Sequence, residues 1–215
     1  MSRASLLQET ASWMDTVDLA LCLFIYEVCN DCQFEFASKN AQERLISILR
    51  DQKINATEMP WTHANAVCFT ECPWSSLIAH TKRYSQYGIG FTKPTVFAKH
   101  GGPVYYMRPD HFKRQMIDNK FDKHVWPFVT PFSPSYRPKH MKGQYFNTVD
   151  YSHEREWRVP HDFPFTYDDI AFIILNNYKD MAQFPKDLKD AIGRDKFILM
   201  DNYIHIEKLW PVHII

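Results

Sequence analysis

Apolar side chains recur every three to four residues in the first part of the chain. Between Leu6 and Val28 they follow helical spacing, which predicts a helix over residues 5–33. A second helix is predicted from Ser38, a suitable N-cap residue, to about Arg50. Residues 1–33 are therefore predicted to form an N-terminal helical extension.

Short apolar runs bounded by polar residues, glycine or proline predict the strands. The predicted strands cover residues 65–70, 87–91, 104–107, 154–159, 170–175 and 197–200. Pro73 ends the first of them, because proline cannot continue a central ladder. Further helices are predicted over residues 74–84, 96–99, 110–124 and 184–192, and residues 203–206 are predicted to form a last strand or turn.

Helices and short strands interleave irregularly in this pattern. Such an order favours an α+β fold over a doubly wound sheet. The length of 215 residues favours one domain with an extension over two domains. We therefore expect residues 34–215 to form a single α+β domain around a central, mostly antiparallel, split sheet.

Composition and charge narrow the classes of function. Aromatic residues make up 15% of the chain, which argues against disorder. Lys+Arg and Asp+Glu both number 25, so no overall field attracts nucleic acid, although a local basic groove around Lys82, Arg83 and Lys93 stays open. There is no apolar run of about 18 residues and no signal-peptide pattern, so the chain is expected to be soluble and cytoplasmic, without a membrane partner.

The five cysteines are expected to be reduced thiols, since their number is odd and the chain looks cytosolic. The alternative is a structural zinc site that pairs Cys29-x-x-Cys32 with Cys68-x-x-x-Cys72. That alternative is the weaker one, because the first pair lacks the turn residues of a zinc knuckle and Cys72 precedes a proline.

The clearest candidate for chemistry is the segment Glu154-Arg155-Glu156-Trp157-Arg158. On a strand, alternate side chains share a face, so Glu154, Glu156 and Arg158 are expected to lie together. Two neighbouring carboxylates repel, which raises the pKa of one and can supply an acid and a base. The alternative is a surface strand with Glu/Arg pairs of little energetic weight.

A second candidate site begins at the end of the strand over residues 65–70. Thr70 and the residues after it place polar groups at the sheet edge, and the Tyr87-Gly88-Ile89-Gly90 turn offers backbone N–H groups and an aromatic ring. These features suit a small ligand with a ribose or phosphate. The Gly88-x-Gly90 pair lacks the third glycine of a dinucleotide fingerprint, so an ordinary tight turn is the alternative.

The order of these motifs between residues 34 and 175 resembles the AbiGi-type abortive phage-resistance family. The Tyr87-Gly88-Ile89-Gly90-Phe91 and Glu154-Arg155-Glu156-Trp157-Arg158 segments carry most of the resemblance. It implies a role in phage defence or in a toxin–antitoxin pair.

A more distant resemblance is to ADP-ribosyltransferases, especially DarT-like toxins. It implies NAD as substrate, with Glu156 as the catalytic residue and Glu154 orienting the acceptor. The residues that it implies for NAD binding are His63, Thr70, Tyr84, Tyr87, Gly88 and Arg158. One departure from the pattern is that the helix over residues 38–50 runs into Asp51 rather than into a glycine.

Three functions are therefore open. The first is an NAD-dependent ADP-ribosyltransferase or NAD glycohydrolase that acts on a nucleic acid or protein acceptor. The second is a non-enzymatic antitoxin, sensor or binding module with a cognate partner, marked by an exposed aromatic patch around residues 126–132. The third is a nuclease in which Asp150, Glu154 and Glu156 hold Mg²⁺.

Overall fold

The computed structural model describes residues 20–24, 40–71, 78, 85–118, 122–133, 150 and 152–209. The strands are β1 Ala20–Phe24, β2 Lys53–Ile54, β3 Thr57–Glu58, β4 Asn65–Thr70, β5 Gly88–Thr92, β6 Gly102–Pro103, β7 Tyr105–Met107, β8 Val129–Pro131, β9 Glu156–Val159, β10 Phe163–Pro164, β11 Ile170–Leu175 and β12 Phe197–Leu199. The α-helices are α1 Ala41–Asp51, α2 Lys93–Ala98, α3 Pro109–Asp118, α4 Tyr178–Gln183, α5 Lys186–Ile192 and α6 Met200–Leu209.

One sheet organises these elements. Its strand order is β12-β11-β5-β1-β4-β9-β6, with β3 added to β4. The β11–β12 pair is parallel, and the other pairs of this sheet are antiparallel. Two small ladders, antiparallel β10–β2 and parallel β7–β8, lie outside it. The predicted α+β class with a mostly antiparallel sheet is confirmed.

The helical prediction for residues 5–33 is wrong over Ala20–Phe24. This segment is strand β1, which lies between β4 and β5 and pairs with both. An unbroken apolar run of five residues is compatible with a buried strand or a buried helix, and periodicity alone cannot separate the two. The other residues of the predicted extension lie outside the described residues, and the domain division at residue 33 stays a prediction.

Other boundaries differ by smaller amounts. Helix α1 begins after Asn40, whose side chain accepts from the Glu43 backbone N–H at 2.9 Å while the Glu43 carboxylate accepts from Asn40 N at 3.0 Å. This reciprocal capping box places the N-cap at Asn40 rather than at Ser38. At the other end of the chain, Met200–Leu209 is a helix, so the strand or turn predicted over residues 203–206 is wrong.

The core packs α1 and aromatic rings against one face of the sheet. Ala41, Leu45 and Leu49 are buried on α1 at helical spacing. Phe91 makes edge-to-face contacts with Phe163 and Phe165, at centroid distances of 4.9 and 5.3 Å. Such contacts add to the free energy of burying the rings, so the core fixes the position of β5.

A second layer covers the opposite face of β4 and β9. It consists of β7, β8 and the 3₁₀ turn Trp126–Phe128, which contacts β9. The indole N–H of Trp61 donates to the carbonyl of Val129 at 3.0 Å, and Val104 N donates to the carbonyl of Glu156 at 2.9 Å. Strand β9 is thus enclosed between the core and this layer, and that position defines the candidate site.

The adjacent glycines Gly101 and Gly102 give a matched test of this packing. A Cβ at Gly101 would lie 2.5 Å from Val96 Cγ1 and 2.7 Å from the Val96 carbonyl oxygen, and backbone cannot yield cheaply. A Cβ at Gly102 would have its nearest contact at 3.5 Å, on Phe128. We expect Gly101→Ala to lower the free energy of unfolding by about 1–3 kcal/mol. We expect Gly102→Ala to change it little. Urea unfolding followed by circular dichroism measures the free energy of unfolding of both variants. Equal losses in the two would contradict the close approach of Val96 to Gly101.

Candidate functional site

The two candidate segments meet along the pairing of β4 with β9. Thr70 lies opposite Glu156, and Cys68 lies opposite Arg158. Because side chains alternate along a strand, these four share one face of the sheet. Trp157 belongs to the other face, opposite Phe69. The pairing therefore divides the polar groups of the two segments between the two faces of the sheet.

On the first face, Arg158 and Glu156 form a two-bond ion pair. Arg158 Nε donates to Glu156 Oε1 at 2.8 Å, and Nη2 donates to Oε2 at 3.0 Å. The Arg158 side chain is 1% exposed, and Glu156 is also largely buried. The predicted sharing of a face by Glu156 and Arg158 is confirmed.

The remaining donors of Arg158 hold the second layer. Nη1 donates to the carbonyls of Pro127 and Val129 at 2.9 and 3.2 Å, and Nη2 donates to Thr130 Oγ1 at 2.6 Å. The guanidinium also lies 5.8 Å from the centre of the Trp61 ring. A buried charge is tolerated only when it is paired and hydrogen-bonded, and Arg158 meets both conditions.

Two neutral groups lie beside this ion pair. Burial, together with the charge of Glu156, raises the pKa of the Cys68 thiol to about 12, although Arg158 acts in the opposite direction. Burial and the Glu156 charge also raise the pKa of Tyr106 to about 12. Both groups therefore stay protonated at neutral pH. Tyr106, on β7, belongs to the site but was not predicted, because nothing in the sequence indicates that β7 lies close to Glu156.

Glu154 does not continue strand β9, which corrects the predicted strand over residues 154–159. It ends the 3₁₀ turn Ser152–Glu154, and Arg155 follows with a positive φ of 46° that breaks the strand alternation. The Glu154 carbonyl accepts from Thr70 Oγ1 at 2.6 Å and from Glu71 N at 3.2 Å. This arrangement joins the end of β4 to the turn before β9.

The second face carries a cluster that was not predicted, built around the carboxylate of Glu71. Glu71 Oε1 accepts from Lys93 Nζ at 2.5 Å and from Arg155 Nη2 at 2.7 Å. Glu71 Oε2 accepts from the Trp157 indole N–H at 2.9 Å. The cluster (Glu71, Lys93, Arg155 and Trp157) is drawn from three segments far apart in sequence, so short motifs could not reveal it.

The other predicted NAD-binding residues lie away from Glu156. His63 precedes β4, at the end opposite Thr70, and contacts Glu58 on the surface at 2.6 Å. Five residues of strand, roughly 17 Å, separate that end from Thr70. Gly88 begins β5, which is separated from β9 by β1 and β4, roughly 14 Å across the sheet. Tyr87 donates to Asp180 at 2.8 Å. Tyr84 lies outside the described residues.

The predicted metal sets are not assembled in the part of the chain that the structure describes. No group of three or more His, Cys, Asp or Glu side chains there could hold a metal ion. Asp150 instead accepts from the Ser152 hydroxyl at 2.6 Å. Cys68 lies beside Met59, at 3.8 Å between sulfur atoms, and the zinc partners proposed with it, Cys29, Cys32 and Cys72, lie outside the described residues.

Residues 35–126 match the family model described as "Putative abortive phage resistance protein AbiGi, antitoxin". The match spans less than half of the 215 residues and confirms the resemblance to the AbiGi-type family. It supports a role in phage defence of the toxin–antitoxin kind. No match to a curated protein or to a solved structure was found. Among the described residues, no helix is long and apolar enough to cross a membrane.

Removing Arg158 tests the buried ion pair. We expect Arg158→Met to lower the free energy of unfolding by about 3–5 kcal/mol, because it leaves the Glu156 carboxylate buried and unpaired. The control is Arg194→Met, which breaks an exposed pair with Asp190 and should cost at most about 1 kcal/mol. Urea unfolding measures both variants. A similar loss in the two would show that the Arg158 pair is not buried in solution.

Proposed function

We propose that this chain is a non-enzymatic antitoxin of a phage-defence system, which neutralises a cognate toxin protein by direct contact. The observation that carries the proposal is the match of residues 35–126 to a family model described as an antitoxin. The matched segment includes β4, β5, α2 and α3, together with Glu71 and Lys93 of the second-face cluster.

The state of Glu156 supports a binding role over catalysis. Both of its carboxylate oxygens accept from Arg158, whose other donors are bonded to the second layer. A carboxylate that stabilises a ribosyl cation has to face the substrate. Glu156 is instead largely buried, and turning it away from Arg158 towards a substrate would leave a buried guanidinium unpaired, at a cost of about 3–5 kcal/mol.

Exposed apolar side chains in the matched segment also support a protein partner. Four of the five large apolar side chains that are exposed among the described residues fall within it: Phe97, Tyr105, Met116 and Ile117. The aromatic patch predicted around residues 126–132 is not an exposed one, since Trp126 is half-buried and its ring centre lies 5.7 Å from that of Phe112.

The second candidate is the NAD-cleaving activity, with Glu156 as catalytic residue and Arg158 and Thr70 close to it. It is favoured by the placement of Glu156 beside both Arg158 and Tyr106. The DarT-like resemblance behind it stays a hypothesis, and so does NAD as substrate.

Co-expression with each protein encoded beside it at its native locus tests the proposal. One neighbour should arrest growth when it is expressed alone. Co-expression with this chain should restore growth, and the two proteins should co-elute as a complex of fixed stoichiometry. The purified chain should release no nicotinamide from NAD, with or without nucleic acid.

The catalytic alternative makes the opposite prediction. Nicotinamide release by the wild type, lost in a folded Glu156→Gln variant, would overturn the antitoxin proposal. Failure of every neighbouring protein to arrest growth, or arrest that this chain does not relieve, would overturn it as well. Circular dichroism of Glu156→Gln has to match the wild type, because the substitution weakens the Arg158 pair.

A further inference from the structure

The Glu71 cluster contains more positive than negative charge. The side chains of Lys93 and Arg155 both donate to a single oxygen atom, Glu71 Oε1. Glu71 is 5% exposed, and its other oxygen is occupied by the Trp157 indole. One carboxylate therefore neutralises one of two neighbouring cations, and the second cation has no counter-charge within the cluster.

Arg155 is the member through which a ligand could reach this charge. Its side chain is 51% exposed, whereas that of Lys93 is 26% exposed. It donates through Nη2 to Glu71, and a guanidinium has further N–H groups that a half-exposed side chain can present to solvent. The positive φ of 46° places it outside the strand alternation, beside Trp157. A non-glycine residue in this conformation is held there by its surroundings.

An exposed aromatic ring lies one helical turn from Lys93. Phe97 follows Lys93 by four residues on α2, so the two share a helix face with Cβ atoms about 5–6 Å apart. Phe97 is 69% exposed. The Lys93 ammonium also lies 5.9 Å from the centre of the Trp157 ring. Arginine and aromatic residues are the types that most often carry binding energy at protein interfaces.

We propose that Lys93, Phe97 and Arg155 form the docking surface for an acidic segment of the toxin, in which an Asp or Glu carboxylate binds Arg155 and an apolar neighbour covers Phe97. This inference rests on the proposed antitoxin function. The carboxylate of the toxin balances the charge of the second cation. Because the hydrogen bond to Glu71 already restricts the Arg155 side chain, little side-chain entropy is lost on binding.

The charge on this surface favours a carboxylate over a nucleic acid. The cluster has one excess positive charge, and the chain as a whole has a formal net charge of zero. A polyanion requires an extended basic stripe to displace its counterions, whereas a single carboxylate requires one guanidinium.

Two pairs of variants test the surface in the full chain. Arg155→Gln removes the charge but keeps a donor for Glu71, and its control is Arg194→Gln, in a paired arginine that is 54% exposed. Phe97→Ser removes the ring, and its control is Tyr178→Ser, in a ring that is 77% exposed. Thermal melting confirms that all four variants are folded.

The first measurement uses the toxin found by co-expression. We expect Arg155→Gln and Phe97→Ser each to weaken its binding about thirtyfold or more, which is the size of a hot-spot effect, while the controls bind like the wild type. If the toxin is neutralised equally by all four variants, the docking surface is refuted and the antitoxin function stands.

The second measurement needs no toxin. A labelled peptide of alternating Glu and Leu is compared with its Gln–Leu counterpart at low salt, with inorganic phosphate and NAD as competitors. We expect only the acidic peptide to bind. We expect Arg155→Gln to weaken the binding of this peptide about tenfold more than Arg194→Gln does. If the acidic peptide binds in this way but co-expression identifies no toxin, the antitoxin function is refuted and the carboxylate-binding site is supported. Equal binding of both peptides would refute the carboxylate site. Displacement of the acidic peptide by phosphate or NAD, at a concentration at which chloride does not displace it, would refute the carboxylate site as well.

Discussion

The buried guanidinium of Arg158 is the constraint on which the region around β9 depends. A charge with 1% exposure requires a counter-ion and acceptors for its remaining donors. Glu156 supplies the first, and the carbonyls of Pro127 and Val129 with the Thr130 hydroxyl supply the second. The segment that leads into β8 is thereby fixed over the sheet, and Tyr106 and Cys68 are enclosed beside it.

A second carboxylate, that of Glu71, lies on the opposite face. It is also buried, but one of the cations that it binds is open to solvent. Around Glu156 the charges balance and the groups are enclosed. Around Glu71 two cations face one carboxylate, and Arg155 is half-exposed. The first arrangement is suited to stability and the second to recognition. An enclosed ion pair and an open cation cluster thus lie on the two faces of the sheet around β9, which is the arrangement from which the binding role is proposed.

Local patterns predicted the elements whose signals are local. Strands β4 and β11 were predicted at their observed bounds, because each is an apolar run limited by polar residues or proline. The same-face placement of Glu156 and Arg158 followed from strand alternation. Strand β1 was missed because its five apolar residues continue a helical spacing, and its pairing with β4 and β5 involves residues far along the chain.

The site was predicted only in part for the same reason. Glu71, Lys93 and Arg155 meet because β4, α2 and the turn before β9 converge, and no spacing in the sequence encodes that meeting. The proximity of Tyr106 to Glu156 depends on the position of β7 in the layer beside β9. A useful signal was present in Trp157, whose indole N–H needs an acceptor when it is partly buried. Glu71, directly after β4, is the nearest candidate for that acceptor on the same face.

The most direct test of the central claim, that Glu156 and Arg158 are enclosed and structural, is hydrogen exchange at the arginine Nε–H groups by ¹⁵N NMR. The Arg158 Nε–H donates to Glu156 in a buried position, so it should exchange with water far more slowly than that of Arg155. Addition of NAD should leave its resonance unchanged. Exchange of Arg158 as fast as that of Arg155, or a resonance that NAD shifts, would contradict this account and return Glu156 to the role of a catalytic residue.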